Sequence, residues 1–260
     1  KEETLPYDQL VLGTGSRPKR LPIPGADLKG VFTVSNLNEA MAIKQGLSKG
    51  EVEKAVVIGA GAIGLEMAEA FADLWGIETT VLEVADQILP GTVSPNMARM
   101  AQCHLEENDV SVRLNEMVQA LQGTDRVAKV VTDKGTIDAD MVIMAVGVSP
   151  NSDLAKAAGL AVSAEGAIVV NERMQTSDPH IFAGGDCVEI PNLLTGKPGY
   201  FPSGSLTNRQ GRVIGTNLAG GNARFEGAVG TFIIKVFEMS LASAGMSLKT
   251  AKGAGGDALS

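Results

Sequence analysis

One segment restricts the fold more than any other, the glycine-rich turn Gly59-Ala60-Gly61-Ala62-Ile63-Gly64. It directly follows the apolar run 55–58, whose length and bulk are typical of a buried parallel strand. An amphipathic helix is predicted to begin within the turn. The positions predicted to form the buried face of that helix are Ile63, Met67, Phe71 and Leu74. A strand, a Gly-x-Gly-x-x-Gly turn and a helix in this order are typical of a dinucleotide-binding βαβ unit.

Each glycine of this turn has its own predicted role. Gly59 allows a sharp turn, Gly61 lets the backbone approach a pyrophosphate, and Gly64 permits close packing of the helix on the strand. Amides in the first helical turn, including that of Ile63, are expected to bind phosphate, helped by the partial positive charge of the helix dipole. The alternative is a flexible glycine-rich loop without a ligand, which the flanking strand and helix disfavour.

An acidic residue follows the second predicted strand of this unit, 79–82. Glu83 lies about 20 residues after the last glycine, where a carboxylate can accept hydrogen bonds from the adenosine ribose hydroxyls. A carboxylate about 4 Å from a 2′-phosphate would be repelled by at most about 4 kcal/mol at an effective dielectric near 20. A third of that energy corresponds to about a tenfold preference for NAD over NADP. The alternative is that Glu83 is simply a solvated strand end.

Glu66 is a further acidic residue of the same predicted helix. We place it in the first helical turn, where the dipole favours an acid. This electrostatic role needs no ligand.

Strands and helices alternate along the rest of the chain. The strand 9–12 runs into a glycine turn, and the strand 181–183 runs into Gly184-Gly185-Asp186. This alternation predicts an α/β architecture with a parallel sheet, and turn-linked segments at 117–140 predict a small antiparallel meander. Other predicted helices cover residues around 38–47, 96–107 and 205–218, and other predicted strands cover 110–114, 141–146 and 231–239.

Charge and cysteine content exclude several classes of protein. The formal net charge is −8, without a run of Lys or Arg, which disfavours nucleic acid and anionic membranes as partners. No stretch approaches the roughly 18 apolar residues that a membrane span requires. Cys103 and Cys187 lie far apart, so that neither a disulfide framework nor a metal site is suggested. A reducing, cytoplasmic location is expected.

Three further segments resemble one enzyme family. The segment 176–186 resembles the flavin-ribityl motif of FAD-dependent pyridine nucleotide-disulfide oxidoreductases, in which Asp186 would hydrogen-bond the ribityl chain. The segment 12–18 resembles the family's short flavin-side turn, with Thr14 and Gly15 in place and Gly13 replacing the usual Ala. The segment 145–151 resembles the exit from the NAD domain, where Gly147 would lie beside the nicotinamide nucleotide. Together with the glycine turn, these motifs cover almost the entire chain.

A narrower resemblance comes from segments 202–212 and 231–237. They are similar to the branch that contains NADH oxidases, coenzyme A-disulfide reductases and persulfide reductases. In that branch the helix that opens near Gly204 and Ser205 points its amino end at the flavin ring, where its dipole stabilises negative charge. Glu66 also matches an acid that relatives place near the nicotinamide.

The resemblance implies a domain organisation and a reaction. A Rossmann-like NAD(H)-binding domain, 32–147, would be inserted into an incomplete FAD-binding domain, 1–31 and 148–228, and residues 229–260 would begin a truncated C-terminal dimerisation domain. The implied cofactors are FAD and NAD(H). Hydride would pass from NADH to flavin and on to a small-molecule disulfide, persulfide or oxygen-derived acceptor. The full-length protein is expected to be a homodimer.

Relatives also carry an opening FAD-binding unit and a redox cysteine, and this sequence shows neither. We therefore predict no catalytic residue in this chain, with Cys187 in a packing role and Cys103 as surface or core filler. The chain is expected to be a fragment that binds NAD(H) without turnover. Two alternatives remain: a non-catalytic nucleotide-binding module, and a ferredoxin- or rubredoxin-type reductase, which needs no redox cysteine and which the segment 237–240 disfavours.

Overall fold

The computed structural model describes residues 3–253, apart from the side chain of Lys249. Its strands are, in chain order, β1 (Leu10–Leu12), β2 (Ser16–Pro18), β3 (Val31–Phe32), β4 (Lys54–Ile58), β5 (Glu78–Glu83), β6 (Val110–Leu114), β7 (Val118–Gln122), β8 (Lys129–Thr132), β9 (Gly135–Asp138), β10 (Met141–Met144), β11 (Val148–Pro150), β12 (Ile168–Val169), β13 (Ile181–Ala183), β14 (Val188–Pro191), β15 (Pro198–Gly199), β16 (Thr231–Val236) and β17 (Met239–Ala244). Its helices are α1 (Leu37–Ser48), α2 (Ala62–Glu69), α3 (Pro95–Glu107), α4 (Asp153–Ala157), α5 (Gly204–Leu218) and α6 (Leu248–Gly253), and a π-helical turn, Ala70–Leu74, continues α2.

The chain divides into two compact units. The first unit combines the chain up to Arg17 with Val148–Thr231, and the second combines Pro18–Gly147 with the described residues from Phe232 onward. Residues 18–31 belong to the second unit because Ala26 lies in its core and Pro24 accepts a backbone hydrogen bond from Leu121 at 2.8 Å. The assignment of cofactor domains, with boundaries at 31/32, 147/148 and 228/229, stays a prediction.

A five-stranded parallel sheet organises the second unit, in the order β3-β10-β4-β5-β6. Successive side chains of a strand point to opposite faces, and here both faces are buried, which explains the unbroken apolar runs of the sequence. One core contains Val57, Val81 and Ile143, and the other contains Val56, Leu82 and Val142. The predicted α/β class with a parallel sheet is confirmed.

Different elements cover the two faces of this sheet. Residues of α1, α2 and α3 share a core with Val57, whereas residues of β7 and β8 share the other core with Val56. The strands β7, β8 and β9 pair antiparallel in sequence order. The meander predicted within 117–140 is therefore confirmed.

The buried face of α2 agrees with the predicted one at Phe71, which is buried, and at Met67, which packs against the core, but differs at the other two positions. Ile63 is 47% exposed and Leu74 is 73% exposed, so that both predictions were wrong. Small residues instead bring the helix close to the sheet, and the π-helical turn changes the phase of the face before Leu74. The buried positions of α2 and this turn are Gly64, Leu65, Ala68 and Phe71.

The segment predicted as one strand over 231–239 is interrupted. β16 ends at Val236, and Phe237 adopts a left-handed backbone conformation with φ of 48° before β17 begins. The two strands form a two-stranded sheet, and Val236, Phe237 and Leu241 lie in a core of the second unit.

The first unit contains a parallel pair of strands, β1 and β13, in which Leu12 lies opposite Ala183. Parallel strands end at the same edge of a sheet, so the turns that follow β1 and β13 lie side by side. The core of this unit includes Phe182, Cys187 and Ile214. In residues 3–253, no helix combines the length and the apolar character that crossing a bilayer requires.

Candidate functional site

The glycine turn between β4 and α2 has the tight geometry predicted for it. Gly59 adopts φ of 101°, and a Cβ atom there would lie 2.5 Å from the carbonyl oxygen of Ala145. A Cβ atom on Gly64 would overlap the carbonyl oxygen of Gly59 and lie 3.3 Å from Cγ1 of Val57. Only glycine at both positions lets α2 begin this close to the sheet.

Gly61 lies in a different environment from its two neighbours. It precedes the first residue of α2, and among the described residues no side chain caps the helix amides from this position. A Cβ atom on Gly61 would meet nothing within 4 Å. No side chain at this position accepts a hydrogen bond from the first amides of the helix, and the space next to them is open. The helix dipole adds partial positive charge there. This arrangement is suited to a phosphate.

Glu83 holds the glycine turn in place. It is 8% exposed at the end of β5, and its Oε2 accepts a hydrogen bond from the amide of Ala60 at 2.9 Å. Its Oε1 accepts another from the amide of Ala85 at 2.9 Å. A carboxylate offers about four acceptor positions. Glu83 therefore has a structural role that the sequence did not reveal, and it keeps capacity for a ligand hydroxyl.

A cavity of about 610 Å³ brings several predicted residues together. Gly59, Gly61 and Glu83 form part of its wall, and so does Gly147, which adopts φ of 95°. The volume lies within the range of about 300–1,000 Å³ that is typical of small-molecule sites. The predicted dinucleotide residues of the turn and of β5 thus share one cavity with the segment after β10.

Two other predicted residues of this region do not line the cavity. Ile63 is the second residue of α2, and its side chain is exposed. Glu66 is exposed on the same helix, whose first turn contains no acidic residue, so its predicted place there was wrong. The helix begins at Ala62, which puts Glu66 one turn further from the positive end of the dipole.

A second carboxylate in the cavity wall was not predicted from the sequence. Glu116 follows β6, is 5% exposed, and accepts a hydrogen bond from Oγ1 of Thr132 at 2.7 Å. No local motif marks this residue, because its burial depends on the meander strand that carries Thr132.

In the first unit, the two turns predicted to contact flavin lie together. β1 and β13 end side by side, and the amide of Gly184 donates to the carbonyl of Leu12 at 3.1 Å. Oδ2 of Asp186 accepts a hydrogen bond from Oγ of Ser16 at 3.2 Å. Thr14 is fixed through a hydrogen bond of 2.5 Å from its Oγ1 to the carbonyl of Asn151.

Gly15 and α5 complete this turn region. Gly15 adopts φ of 65°, which favours glycine. Gly204 and Ser205 are the first two residues of α5 and are exposed, and within residues 3–253 no side-chain hydrogen bond from Ser203 caps this helix. Oγ of Ser205 lies 3.1 Å from Oγ of Ser203. The start of α5, like that of α2, has the partial positive charge of a helix amino end.

A buried glutamine that was not predicted from the sequence connects α5 to the turn after β13. Gln210 is 2% exposed, and its Oε1 accepts a hydrogen bond from the amide of Gly185 at 2.7 Å. It lies four residues after Leu206 and four before Ile214, both of which pack in the core of this unit. Helical spacing could have placed this polar residue on the buried face.

Tyr200 contacts the same turn. Its hydroxyl donates to the carbonyl oxygen of Asp186 at 2.9 Å. Burial, and then the nearby charge of Asp186, raises the pKa of Tyr200 to about 12, whereas hydrogen bonding to Ser16 acts in the opposite direction.

This shift predicts a loss of stability at high pH. An unfolded tyrosine ionises near pH 10. Between that pH and about 12 the folded state therefore binds more protons than the unfolded state, and the free energy of unfolding falls as the pH rises. Ultraviolet difference titration of the chain against Tyr200→Phe should show a phenol step with a midpoint of about 12. A step close to pH 10 would contradict the burial of this hydroxyl.

The two cysteines occupy different environments. Cys187 is fully buried, with its Sγ 3.3 Å from the carbonyl oxygen of Gly184, whereas Cys103 is exposed. Both are free thiols. In the described part of the chain, no group of three or more His, Cys, Asp or Glu side chains is placed to hold a metal ion.

This chain is similar in sequence and fold to several known proteins. An NADH oxidase from Methanocaldococcus jannaschii is 41% identical over 93% of this chain, which covers 53% of that protein. An FAD-dependent pyridine nucleotide-disulphide oxidoreductase from Desulfovibrio vulgaris superposes with a TM-score of 0.93 at 56% identity, covering 99% of this chain and 65% of that one. An NAD-dependent persulfide reductase from A. fulgidus gives a TM-score of 0.94 at 46% identity, covering 96% of this chain and 46% of that one.

The chain spans about half the length of the curated relatives it matches. The sequence profile of one family, described as pyridine nucleotide-disulphide oxidoreductase, matches residues 1–199. That match includes the glycine turn, Glu83 and Asp186. This chain belongs to the pyridine nucleotide-disulphide oxidoreductase family.

Proposed function

We propose that the second unit binds NAD(H) as the hydride donor of an FAD-dependent oxidoreductase. One observation carries the proposal: the uncapped start of α2 and the carboxylate of Glu83 lie on the wall of a single cavity of about 610 Å³. The helix amides match a pyrophosphate, and the carboxylate matches ribose hydroxyls.

The residues of this cavity are proposed to contact different parts of the dinucleotide. Gly61 leaves space beside the helix amides, so that phosphate oxygens can approach the backbone. Glu83 holds the turn through Ala60 and accepts hydrogen bonds from the adenosine ribose. Its charge repels a 2′-phosphate, which favours NADH over NADPH. Gly147 supplies a wall without a side chain at the end predicted for the nicotinamide nucleotide.

The first unit offers residues that fit part of an FAD site. Oδ2 of Asp186 accepts one hydrogen bond, from Ser16, so the carboxylate keeps acceptor capacity for ribityl hydroxyls. Thr14 and Gly15 form the neighbouring turn, and Gly204 and Ser205 start a helix whose dipole favours negative charge. A bound flavin accepts hydride from a reduced nicotinamide and passes electrons on in one- or two-electron steps.

For the whole protein, we propose a small-molecule acceptor: a disulfide, a persulfide or oxygen. The names of the relatives support this class, because they include an NADH oxidase and a persulfide reductase. Cys187 is buried and Cys103 lies on α3 of the second unit, so neither is assigned the redox step. We also propose a homodimeric full-length protein in the cytoplasm. The chain of 260 residues is proposed to bind NAD(H) without turnover by itself.

Titration calorimetry of this chain with NADH, NADPH and FAD tests the proposal. We expect one NADH per chain and affinity for NADPH weaker by about tenfold, the ratio that about 1.4 kcal/mol of repulsion produces. FAD retention is measured separately, because it tests the first unit alone. If NADH produces no binding heat and no protection against thermal unfolding, the assignment of the second unit is wrong.

A further inference from the structure

Glu116 combines burial with incomplete hydrogen bonding. The residue is 5% exposed and forms part of the wall of the nucleotide cavity. Its Oε1 accepts a hydrogen bond from Thr132 at 2.7 Å and lies 3.7 Å from Nη1 of Arg113. Within residues 3–253 no group donates a hydrogen bond to its other oxygen, Oε2. Among the described residues, Oε2 is not one of the fully buried polar atoms that lack a partner, so this oxygen keeps accessible acceptor positions in a residue that lines the cavity.

Thr132 fixes which oxygen stays free. Its hydroxyl oxygen accepts from the amide of Lys134 at 3.1 Å, so its single proton is available to Oε1 of Glu116. The alternative acceptor, the carbonyl of Gly135, is further away at 3.2 Å. The threonine therefore donates to one side of the carboxylate and leaves the other side as a pure acceptor.

The strand order gives Glu116 its place along the cavity. The glycine turn follows β4, Glu83 ends β5, and Glu116 follows β6, which are consecutive neighbours in the sheet. Adjacent strands lie about 4.8 Å apart. The amide of Glu116 donates to the carbonyl of Glu83 at 3.1 Å, so the two residues are side by side. A pyrophosphate at the turn and a ribose at Glu83 direct the attached base toward the end of β6.

We infer that Glu116 is a specificity residue that accepts a hydrogen bond from the exocyclic amine of adenine. The inference rests on the proposed function of the second unit. An ionised carboxylate only accepts hydrogen bonds, and adenine presents an amine donor at its 6-position. Hypoxanthine carries a carbonyl acceptor at that position instead. Two acceptors facing each other leave both unsatisfied, so the site selects adenine over hypoxanthine.

Reduced nicotinamide hypoxanthine dinucleotide tests this inference, because it differs from NADH at that position of the base. Calorimetry with the unaltered chain should show NADH binding at least about tenfold more tightly, as expected for a hydrogen bond to a charged group. In Glu116→Gln, the proton of Thr132 holds the amide oxygen and leaves the amide NH₂ as a donor. This variant should reverse the preference and favour the hypoxanthine dinucleotide.

Glu78→Gln is the matched control. Glu78 begins β5 at the edge opposite Glu83, is exposed, and does not line the cavity. Its ratio of the two affinities should equal that of the unaltered chain. Equal affinity of the unaltered chain for both dinucleotides overturns the inference, and this test does not depend on whether Glu116→Gln folds. A folded Glu116→Gln that still prefers NADH also overturns it. If neither dinucleotide binds, the proposed function fails and this inference falls with it.

Discussion

Gly64→Ala is expected to destabilise the second unit, whereas Gly61→Ala is expected to leave its stability almost unchanged and to abolish most NADH binding. A Cβ atom on Gly64 would overlap the carbonyl oxygen of Gly59, so α2 would have to move away from β4. Overpacking of this kind typically costs about 1–3 kcal/mol. Gly61 has open space around its Cα and φ of −79°, which alanine adopts without strain.

The two variants separate packing from binding. A methyl group on Gly61 enters the space proposed for the pyrophosphate, so NADH affinity should fall by at least about tenfold, or about 1.4 kcal/mol. Trp75 is the single tryptophan of the chain and lies in the second unit. Its fluorescence during urea unfolding therefore reports the stability of that unit. Unchanged NADH affinity in a stably folded Gly61→Ala would contradict the proposed phosphate site.

Glu83→Ala is expected to lower both stability and cofactor selectivity. The amide of Ala60, a fully buried residue, and the amide of Ala85 would each lose their hydrogen-bond acceptor. Leaving a buried donor unsatisfied costs about 1–3 kcal/mol of the free energy of unfolding. NADH affinity should fall, and the expected tenfold ratio of NADH to NADPH affinity should shrink toward one because the repelling charge is removed.

Glu78→Gln again serves as the control for Glu83→Ala, since it removes an exposed charge from the same strand. It should change neither the fluorescence-detected unfolding nor the ratio of the two affinities. A Glu83→Ala variant that keeps the full preference for NADH would show that another residue selects the cofactor.

Features that depend on local periodicity could be predicted from the sequence. The run 55–58 is buried on both faces of the sheet. The turn at 59–64 requires glycine at Gly59 and Gly64, because a Cβ atom at either position would come too close to a backbone carbonyl oxygen. Both properties are local, because a strand alternates its faces and a glycine turn is set by its own backbone. The antiparallel meander was predictable for the same reason, since the turn at 133–135 connects the two short segments that pair as β8 and β9.

Features that depend on tertiary contacts could not be predicted in this way. Ile63 and Leu74 match a helical period, yet the small residues Gly64 and Ala68 face the sheet because they permit a closer approach. Counting apolar residues favours large side chains, so the predicted face included the exposed Ile63 and Leu74 beside Phe71, which is buried. Glu116 carries no local signal, because the strand that supplies Thr132 is distant in sequence.

The amides at the start of α2 are proposed to bind the pyrophosphate of NADH beside Glu83. Nuclear magnetic resonance of the isotope-labelled chain, titrated with NADH, tests it most directly. We predict that the amide resonances of Gly61, Ala62 and Ile63 shift the most and that those of Gly204 and Ser205 do not shift. Saturable NADH binding that leaves the α2 amides unperturbed would contradict this phosphate site.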